Sequence, residues 1–144
     1  MNSLVSTTVQ SSTGAPQGTV KAPYLFALYT SDYRASHELC PVIKFADDSA
    51  TVGLINNDDN THYEREIASF VEYCDRNHLE LNVSKTKEII IDFRRSRTSP
   101  TPISIKNCDV QRVNEYKYLG VIIDDKLSWS SQIDKIVTSL KPRL

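Results

Sequence analysis

The feature that most constrains how this chain can fold is an acidic turn between two short apolar runs. Residues 42–46 form the first run, Asp47 and Asp48 follow, and residues 49–55 form the second run. Two such runs around polar turn residues are typical of a β-hairpin. A hairpin tip would hold the carboxylate oxygens at a fixed place, which suits hard cations such as Mg²⁺. Adjacent strand residues point to opposite faces, so the pair alone is only a weak signal of a metal site.

Hydrophobic periodicity predicts further helices and strands. A helix is expected from about residue 18 or 21 to residue 33, and a helical stripe runs from Trp129 to Leu140. Short strands are predicted at 89–93, 103–105, 110–113 and 116–123. The clearest helix has an apolar face, an opposite face that is mostly charged, and capping oxygens before it. The apolar face consists of Tyr63, Ile67, Phe70, Val71, Cys74 and His78. The charged face consists of Glu64, Arg65, Glu66, Glu72 and Asp75. The capping oxygens are offered by Asp58, Asp59 and Asn60. The fold class is α+β, with helices packed on an antiparallel sheet.

Charge is distributed unevenly along a chain whose net charge is only −1. Residues 44–80 carry nine acidic and three basic side chains, whereas 84–97 carry five basic and two acidic ones. The basic segment could contact phosphates or could simply be solvated surface. Three widely spaced cysteines fit neither a zinc motif nor a disulfide framework, so an intracellular, reducing compartment is expected, whether nucleus or cytoplasm. No apolar run approaches membrane-spanning length, so no membrane association is expected.

Four ordered segments carry a family resemblance. Ser-Thr-Gly-Ala-Pro-Gln-Gly-Thr at 12–19 precedes Pro-Tyr-Leu-Phe at 23–26, and Phe-Ala-Asp-Asp follows at 45–48. Leu-Glu-Leu-Asn-Val-Ser-Lys-Thr-Lys-Glu stands at 79–88, and Tyr-Lys-Tyr-Leu-Gly-Val at 116–121 precedes Leu-Ser-Trp at 127–129. Together they resemble the palm motifs, primer grip and early thumb of reverse transcriptases, most closely those of non-LTR (LINE-type) retrotransposons.

The resemblance implies a partial polymerase palm that performs nucleotidyl transfer with two Mg²⁺ ions, an RNA template, a DNA primer and a dNTP. It implies a partial palm including the primer-grip region at 14–125 and a truncated start of the thumb at 126–144. Residues 1–13 are rich in Ser and Thr without a strong period, which predicts a disordered or frayed lead-in. The resemblance also implies roles for single residues: Asp47 as a catalytic metal ligand, Asp48 as a weaker ligand or an electrostatic neighbour, Lys85 near the departing pyrophosphate, Gln17 and Gly18 on the nucleotide and template side, and Tyr118, Leu119 and Gly120 at the primer end.

Departures from the family pattern shape the functional expectation. Lys21 stands where the family usually has an apolar residue, and Phe45 replaces the commoner tyrosine. The family carries its first catalytic aspartate on a strand before Gly14, yet the first carboxylate here is Asp32. The chain alone is therefore expected not to polymerise, and its sheet to have an open edge with uncovered apolar surface. The alternatives are a non-catalytic nucleic-acid-binding module and a remnant without function.

Overall fold

The computed structural model describes residues 20–94 and 100–140, in which three helices and eight short strands follow one another. In chain order they are α1 (Lys21–Tyr29), β1 (Val42–Phe45), β2 (Asp48–Thr51), α2 (Thr61–Arg76), β3 (Lys87–Glu88), β4 (Ser104–Ile105), β5 (Cys108–Asp109), β6 (Gln111–Arg112), β7 (Glu115–Tyr118), β8 (Val121–Asp124) and α3 (Ser130–Leu140). This arrangement confirms the predicted α+β class. None of these helices is long and apolar enough to cross a membrane.

The strands of the described residues pair two by two. β1–β2, β4–β5 and β7–β8 are antiparallel hairpins, and β3–β6 is a short parallel pair. Each hairpin joins strands that are neighbours in the sequence, so its register is set largely by its own turn. The antiparallel pairing predicted from the sequence is thus present, but in separate two-stranded sheets, here called ribbons.

The central element is α2, which the apolar spacing of the sequence predicted. Asp59 Oδ1 accepts the backbone N–H of Thr61 at 3.0 Å, and Asn60 Nδ2 donates to Glu64 Oε1 at 2.7 Å. The Asp59 carboxylate thus accepts the first backbone N–H of the helix, whereas Asn60, the N-cap residue, makes no capping hydrogen bond through its side-chain oxygen. The hydrogen bonds with Thr61 lower the pKa of the Asp59 carboxyl. The helix ends before His78, whose φ of +53° turns the chain away.

Two small apolar clusters pack against α2. The first is built on Tyr33, Tyr73 and Cys74, and the second on Ile103, Ile105 and Val110. Leu81 packs against both clusters. The helix therefore connects the part of the chain before the acidic hairpin with the β4–β5 hairpin.

Several sequence predictions need correction. The strand predicted at 89–93 is wrong: the ladder stops at Glu88, because the β6 partner offers only Gln111 and Arg112. The single strand predicted at 116–123 is a hairpin that turns at Leu119 and Gly120. The first helix stops at Tyr29 rather than at residue 33, since the Thr30 and Ser31 hydroxyls donate to the Phe26 and Leu28 carbonyls near its end.

Candidate functional site

The acidic hairpin is present, and both aspartates lie at its tip. Phe45 pairs with Asp48, so Ala46 and Asp47 form a two-residue turn. Ala46 has a φ of +52°, a left-handed conformation that residues with a Cβ atom rarely adopt. Asp47 and Asp48 are both exposed to solvent. The tip therefore presents two neighbouring carboxylates on a backbone strained in a way that is common at functional sites.

Two carboxylates supply only part of the ligand set of a divalent cation. Mg²⁺ is octahedral and usually combines one or two protein carboxylates with water and substrate phosphates. In 20–94 and 100–140, no group of three or more His, Cys, Asp or Glu side chains is placed to hold a metal ion. The carboxylate oxygens of the tip therefore fit one hard cation whose remaining ligands are water or phosphate oxygens. They do not fit two ions without further ligands.

The base of the hairpin is held by backbone pairing and by α2. The N–H groups of Val52 and Leu54 donate to the carbonyls of Pro41 and Leu39, each at 3.1 Å. A Cβ atom added at Gly53 would lie only 2.5 Å from Cδ2 of Tyr63 on α2. The ring of Tyr63 thus packs directly on the hairpin backbone, and burial raises the pKa of its hydroxyl to about 12.

A lysine on β1 ties the hairpin to the end of α1. Lys44 Nζ donates to the backbone carbonyl of Thr30 and lies 5.9 Å from the centroid of the Tyr33 ring. The ammonium therefore combines a hydrogen bond with a cation–π contact. This lysine points back to the body of the molecule, so it adds no cation to the tip of the hairpin.

Lys85 lies in a separate turn and is exposed. Its backbone N–H donates to Asn82 Oδ1 at 3.1 Å, and the N–H of Thr86 donates to the carbonyl of Asn82 at 3.0 Å. Within the described parts of the chain, no hydrogen bond or ion pair joins Lys85 to Asp47 or Asp48. The structure fixes the backbone of Lys85 and leaves its ammonium accessible.

The three residues predicted to hold a primer end form the closed end of the β7–β8 hairpin. Tyr118 pairs with Val121, and the two turn residues have positive φ angles, +47° for Leu119 and +91° for Gly120. Positive φ at both positions is the pattern of a type I′ hairpin turn, which explains the glycine. Leu119 is nonetheless apolar and 46% exposed. The hydroxyl of Tyr118 is buried and has no hydrogen-bond partner among the residues that the structure describes.

Gln17 and Gly18, predicted on the nucleotide and template side, lie outside the described residues, as does the lead-in at 1–13. The segment 84–97 is described as far as Arg94. There the guanidinium contacts Asp92 at 2.9 Å and Asp58 at 2.6 Å, and these hydrogen bonds raise its pKa. Lys87 Nζ donates to Gln111 Oε1 at 2.7 Å. Arg94 is therefore neutralised by carboxylates of its own chain.

The sequence reasoning missed the most deeply buried charge of the described structure. Glu66 was placed with the polar face of α2, but its side chain has no solvent exposure and faces Tyr33 and Ser36. A signal was present in the spacing. Glu66 precedes Phe70 by four residues and Tyr73 by seven, which is the repeat of one helical face.

Comparison with known proteins identifies the family. The model of the family described as "Reverse transcriptase (RNA-dependent DNA polymerase)" matches residues 2–123. The chain belongs to the reverse transcriptase family. This agrees with the order of the acidic hairpin, the turn of Lys85 and the β7–β8 hairpin along the chain.

The chain is similar to polymerases of insect transposons. It is 28% identical to the probable RNA-directed DNA polymerase from transposon X-element of Drosophila melanogaster, over 99% of this chain and 16% of that protein. It is 25% identical to the probable polymerase from transposon BS of the same species, over 83% of this chain and 14% of that protein. It is 24% identical to the RNA-directed DNA polymerase from mobile element jockey of Drosophila funebris, over 91% of this chain and 15% of that protein. The chain thus spans about one sixth of the length of these relatives. No solved structure matches the chain.

Proposed function

We propose that this chain supplies the aspartate hairpin of the palm in a retrotransposon RNA-directed DNA polymerase. The observation that carries the proposal is the pair of exposed carboxylates on the two-residue tip of β1–β2, in a chain of the reverse transcriptase family. The partial palm would span residues 14–125 and the start of the thumb 126–144. An RNA template, a DNA primer and a dNTP would be the partners of the complete enzyme.

In this function Asp47 and Asp48 hold a divalent cation at the tip. When bound, Mg²⁺ lowers the pKa of an attacking hydroxyl and neutralises the charge on the triphosphate. Asp47, a turn residue, would be the main ligand, and Asp48, at the start of β2, would contribute a weaker contact. The tip carries only two carboxylates, so a second ion needs ligands that these residues do not provide. We therefore expect no polymerisation by the chain on its own.

Other residues would orient the nucleic acid and the leaving group. Lys85, whose ammonium is accessible, would neutralise or protonate the departing pyrophosphate. Gln17 and Gly18 would line the nucleotide and template side. Tyr118, Leu119 and Gly120 would hold the primer end, and the apolar exposed side chain of Leu119 suits contact with a sugar or a base.

The test is Mn²⁺ titration of the full chain, read by paramagnetic broadening of backbone amide signals. We expect selective broadening around Asp47 and Asp48, and a loss of this effect in Asp47→Asn. The matched control is Asp109→Asn, which removes an equally exposed carboxylate from a different hairpin. Broadening that is equal around Asp109 and the tip would contradict the proposal. Mg²⁺-dependent primer extension by the chain alone would contradict the expected inactivity.

A non-catalytic nucleic-acid-binding module has less support. Its basic surface would depend on segment 84–97, and there Arg94 is paired with Asp58 and Asp92. Binding to a primer–template duplex with a steep salt dependence would favour this second function. We expect only weak binding whose salt dependence is shallow.

A further inference from the structure

We propose that Glu66 is a positioning residue that holds segment 33–41 on α2 and thereby places the base of the aspartate hairpin. The consequence for catalysis rests on the proposed function of the hairpin. The contacts that carry the inference lie away from the aspartates, so they can be tested separately from metal binding.

The Glu66 carboxylate is completely buried and fully engaged by the segment before the hairpin. Tyr33 Oη donates to Oε1 at 2.5 Å, and the backbone N–H of Ser36 donates to Oε2 at 2.7 Å. The Ser36 hydroxyl also donates to Oε2. A buried charge is tolerated only where hydrogen bonds replace its hydration. All three donors come from segment 33–41, so the carboxylate binds this segment rather than its own helix.

Ring contacts on both sides of Glu66 also hold segment 33–41 against α2. Towards the end of the helix, Tyr33 packs on Phe70 and Tyr73, with centroid distances of 5.1 and 4.8 Å. Towards its start, the rings of His37 and His62 lie 4.0 Å apart. Glu66 lies in the middle of these contacts, and its removal leaves the buried Tyr33 hydroxyl and the partly buried Ser36 N–H and hydroxyl without their acceptor. It therefore ties two residues of the segment, Tyr33 and Ser36, to one point of the helix.

The segment leads directly into the hairpin. Four residues after Ser36 comes Cys40, which is completely buried. The carbonyls on either side of Cys40, from Leu39 and Pro41, accept the N–H groups of Leu54 and Val52. A shift of Ser36 away from α2 is transmitted through this short stretch to both rungs at the hairpin base. The direction of the tip depends on those rungs.

The charge state of Glu66 should make the attachment sensitive to acid. Burial disfavours the charged carboxylate, but the hydrogen bonds from Ser36 and Tyr33 outweigh burial and lower the pKa of Glu66. The facing titratable groups are Tyr33 and Cys40, and the backbone of His37 also contacts the carboxylate. A lowered pKa stabilises the fold above the ordinary glutamate range. That stabilisation is lost as the pH falls through the lowered value.

The experiment is amide hydrogen exchange on the full chain, resolved by NMR. In Glu66→Gln we expect at least about tenfold faster exchange of the Val52 and Leu54 amides, because the variant loses hydrogen bonds to a charged group, which are stronger than those to a neutral one. The Val110 amide, bonded to the Ile103 carbonyl at 2.8 Å on the other cluster, should change much less. Glu72→Gln, an exposed change on the same helix, is the matched control and should leave all three amides unchanged.

Two further measurements test the positioning role of Glu66 independently of the folding of Glu66→Gln. If Glu66→Gln does not fold, Ser36→Ala retains the carboxylate and should still speed exchange of Val52 and Leu54 selectively. In the unaltered chain the protection of these amides relative to Val110 should fall with acidification, and Glu66→Gln should lack that dependence. Unchanged exchange at Val52 and Leu54, or an equal loss at Val110, overturns the positioning role. Mn²⁺ binding at the tip is read independently, so failure of the proposed function gives a different result.

Discussion

Two glycines at hairpins are required for different physical reasons. Gly53 follows β2, and a side chain there would collide with the ring of Tyr63, with three ring or Cβ atoms within 2.9 Å of the added Cβ. Gly120 has open space around it, but its φ of +91° disfavours any L-residue with a side chain. One glycine is therefore needed for packing, and the other is needed for the backbone.

We expect Gly53→Ala to lower the free energy of unfolding by about 2 kcal/mol, in the range typical of overpacking. Gly120→Ala should cost about 1 kcal/mol through its left-handed backbone alone. Urea denaturation of each variant measures both costs. In a Tyr63→Ala background the ring is absent and only the contact with the Cβ atom of residue 63, at 2.9 Å, remains, so the cost of Gly53→Ala should fall while Gly120→Ala keeps its cost. An unchanged cost of Gly53→Ala in that background would show that the close approach of Tyr63 is not the cause.

At the residue scale, the sequence predicted a residue's role correctly where that role depends on the local backbone conformation. The acidic turn at Asp47 and Asp48 was found because turn residues between apolar runs predict a hairpin locally. Gly53 was missed as a structural residue because the ring that packs on it belongs to the next helix, and the spacing of Glu66 indicates a shared helical face but not the partner of its carboxylate. Ser36 lies 30 positions from Glu66, and no local sequence pattern predicts the hydrogen bond between them.

The junction between β8 and α3 shows how one carboxylate organises an element boundary. Asp124 Oδ1 accepts the backbone N–H of Lys126 at 3.0 Å and that of Ser128 at 2.8 Å, and its Oδ2 accepts the Ser128 hydroxyl at 2.6 Å. These hydrogen bonds, led by that of the Ser128 side chain, lower the pKa of the Asp124 carboxyl. Gln132 of α3 then accepts the N–H of Ile122, which ties the helix back to the strand.

Ser128→Ala should raise the pKa of Asp124 towards the ordinary aspartate value. Because the folded pKa is lowered, the charged carboxylate stabilises the junction above the unfolded-state pKa, and acid removes this stabilisation. The variant should therefore lose less stability on acidification than the unaltered chain. Carbon-13 NMR titration of the Asp124 carboxyl is the direct measurement. Ser131→Ala, which removes a hydroxyl that donates to Glu115, is the control and should leave the Asp124 titration in place.

At the element scale, the helices were easier to predict than the strands. The apolar repeats of α2 and α3 span several turns within one segment, so they report on the helix directly. The strand expected at 89–93 had an apolar composition, but a strand also needs a partner, and Gln111 and Arg112 reach only to Lys87 and Glu88. The turn at Leu119 and Gly120 was missed because the surrounding residues continue to favour a strand on both sides.

The molecule as a whole leaves much apolar surface uncovered among the residues described. On α1, Tyr24 is 70% exposed and Leu28 is 58% exposed, and Trp129 before α3 is 63% exposed. The clusters of buried residues on α2 are small by comparison. Extended apolar patches of this kind favour contact with another surface. The sequence motifs predicted the family at this scale, whereas the separation of the strands into four ribbons is visible only in the structure.

We expect the isolated chain to bind a hydrophobic dye and to self-associate as its concentration rises. Leu28→Lys should reduce both effects and leave the circular dichroism spectrum unchanged, because Leu28 contributes exposed area on α1. Thr138→Lys adds the same charge at an exposed position of α3 without removing apolar area, and it should have a smaller effect. Sedimentation velocity and dye fluorescence measure the outcome. A chain that stays monomeric and binds no dye would refute this expectation.

The pairing of strands in separate ribbons also sets an order of events when the chain folds. Of the four ribbons in residues 20–94 and 100–140, three join sequence neighbours, and β3–β6 closes a long loop from Glu88 to Gln111. Isolated hairpins form in about 1–10 μs, whereas distant contacts must first overcome the entropy of loop closure. The aspartate hairpin can therefore form before α2 is in place, and its attachment to the helix is the later step. Pulse-labelled hydrogen exchange during refolding should protect Ala50 and Ile123 before Val113, whose N–H donates to the carbonyl of Glu88.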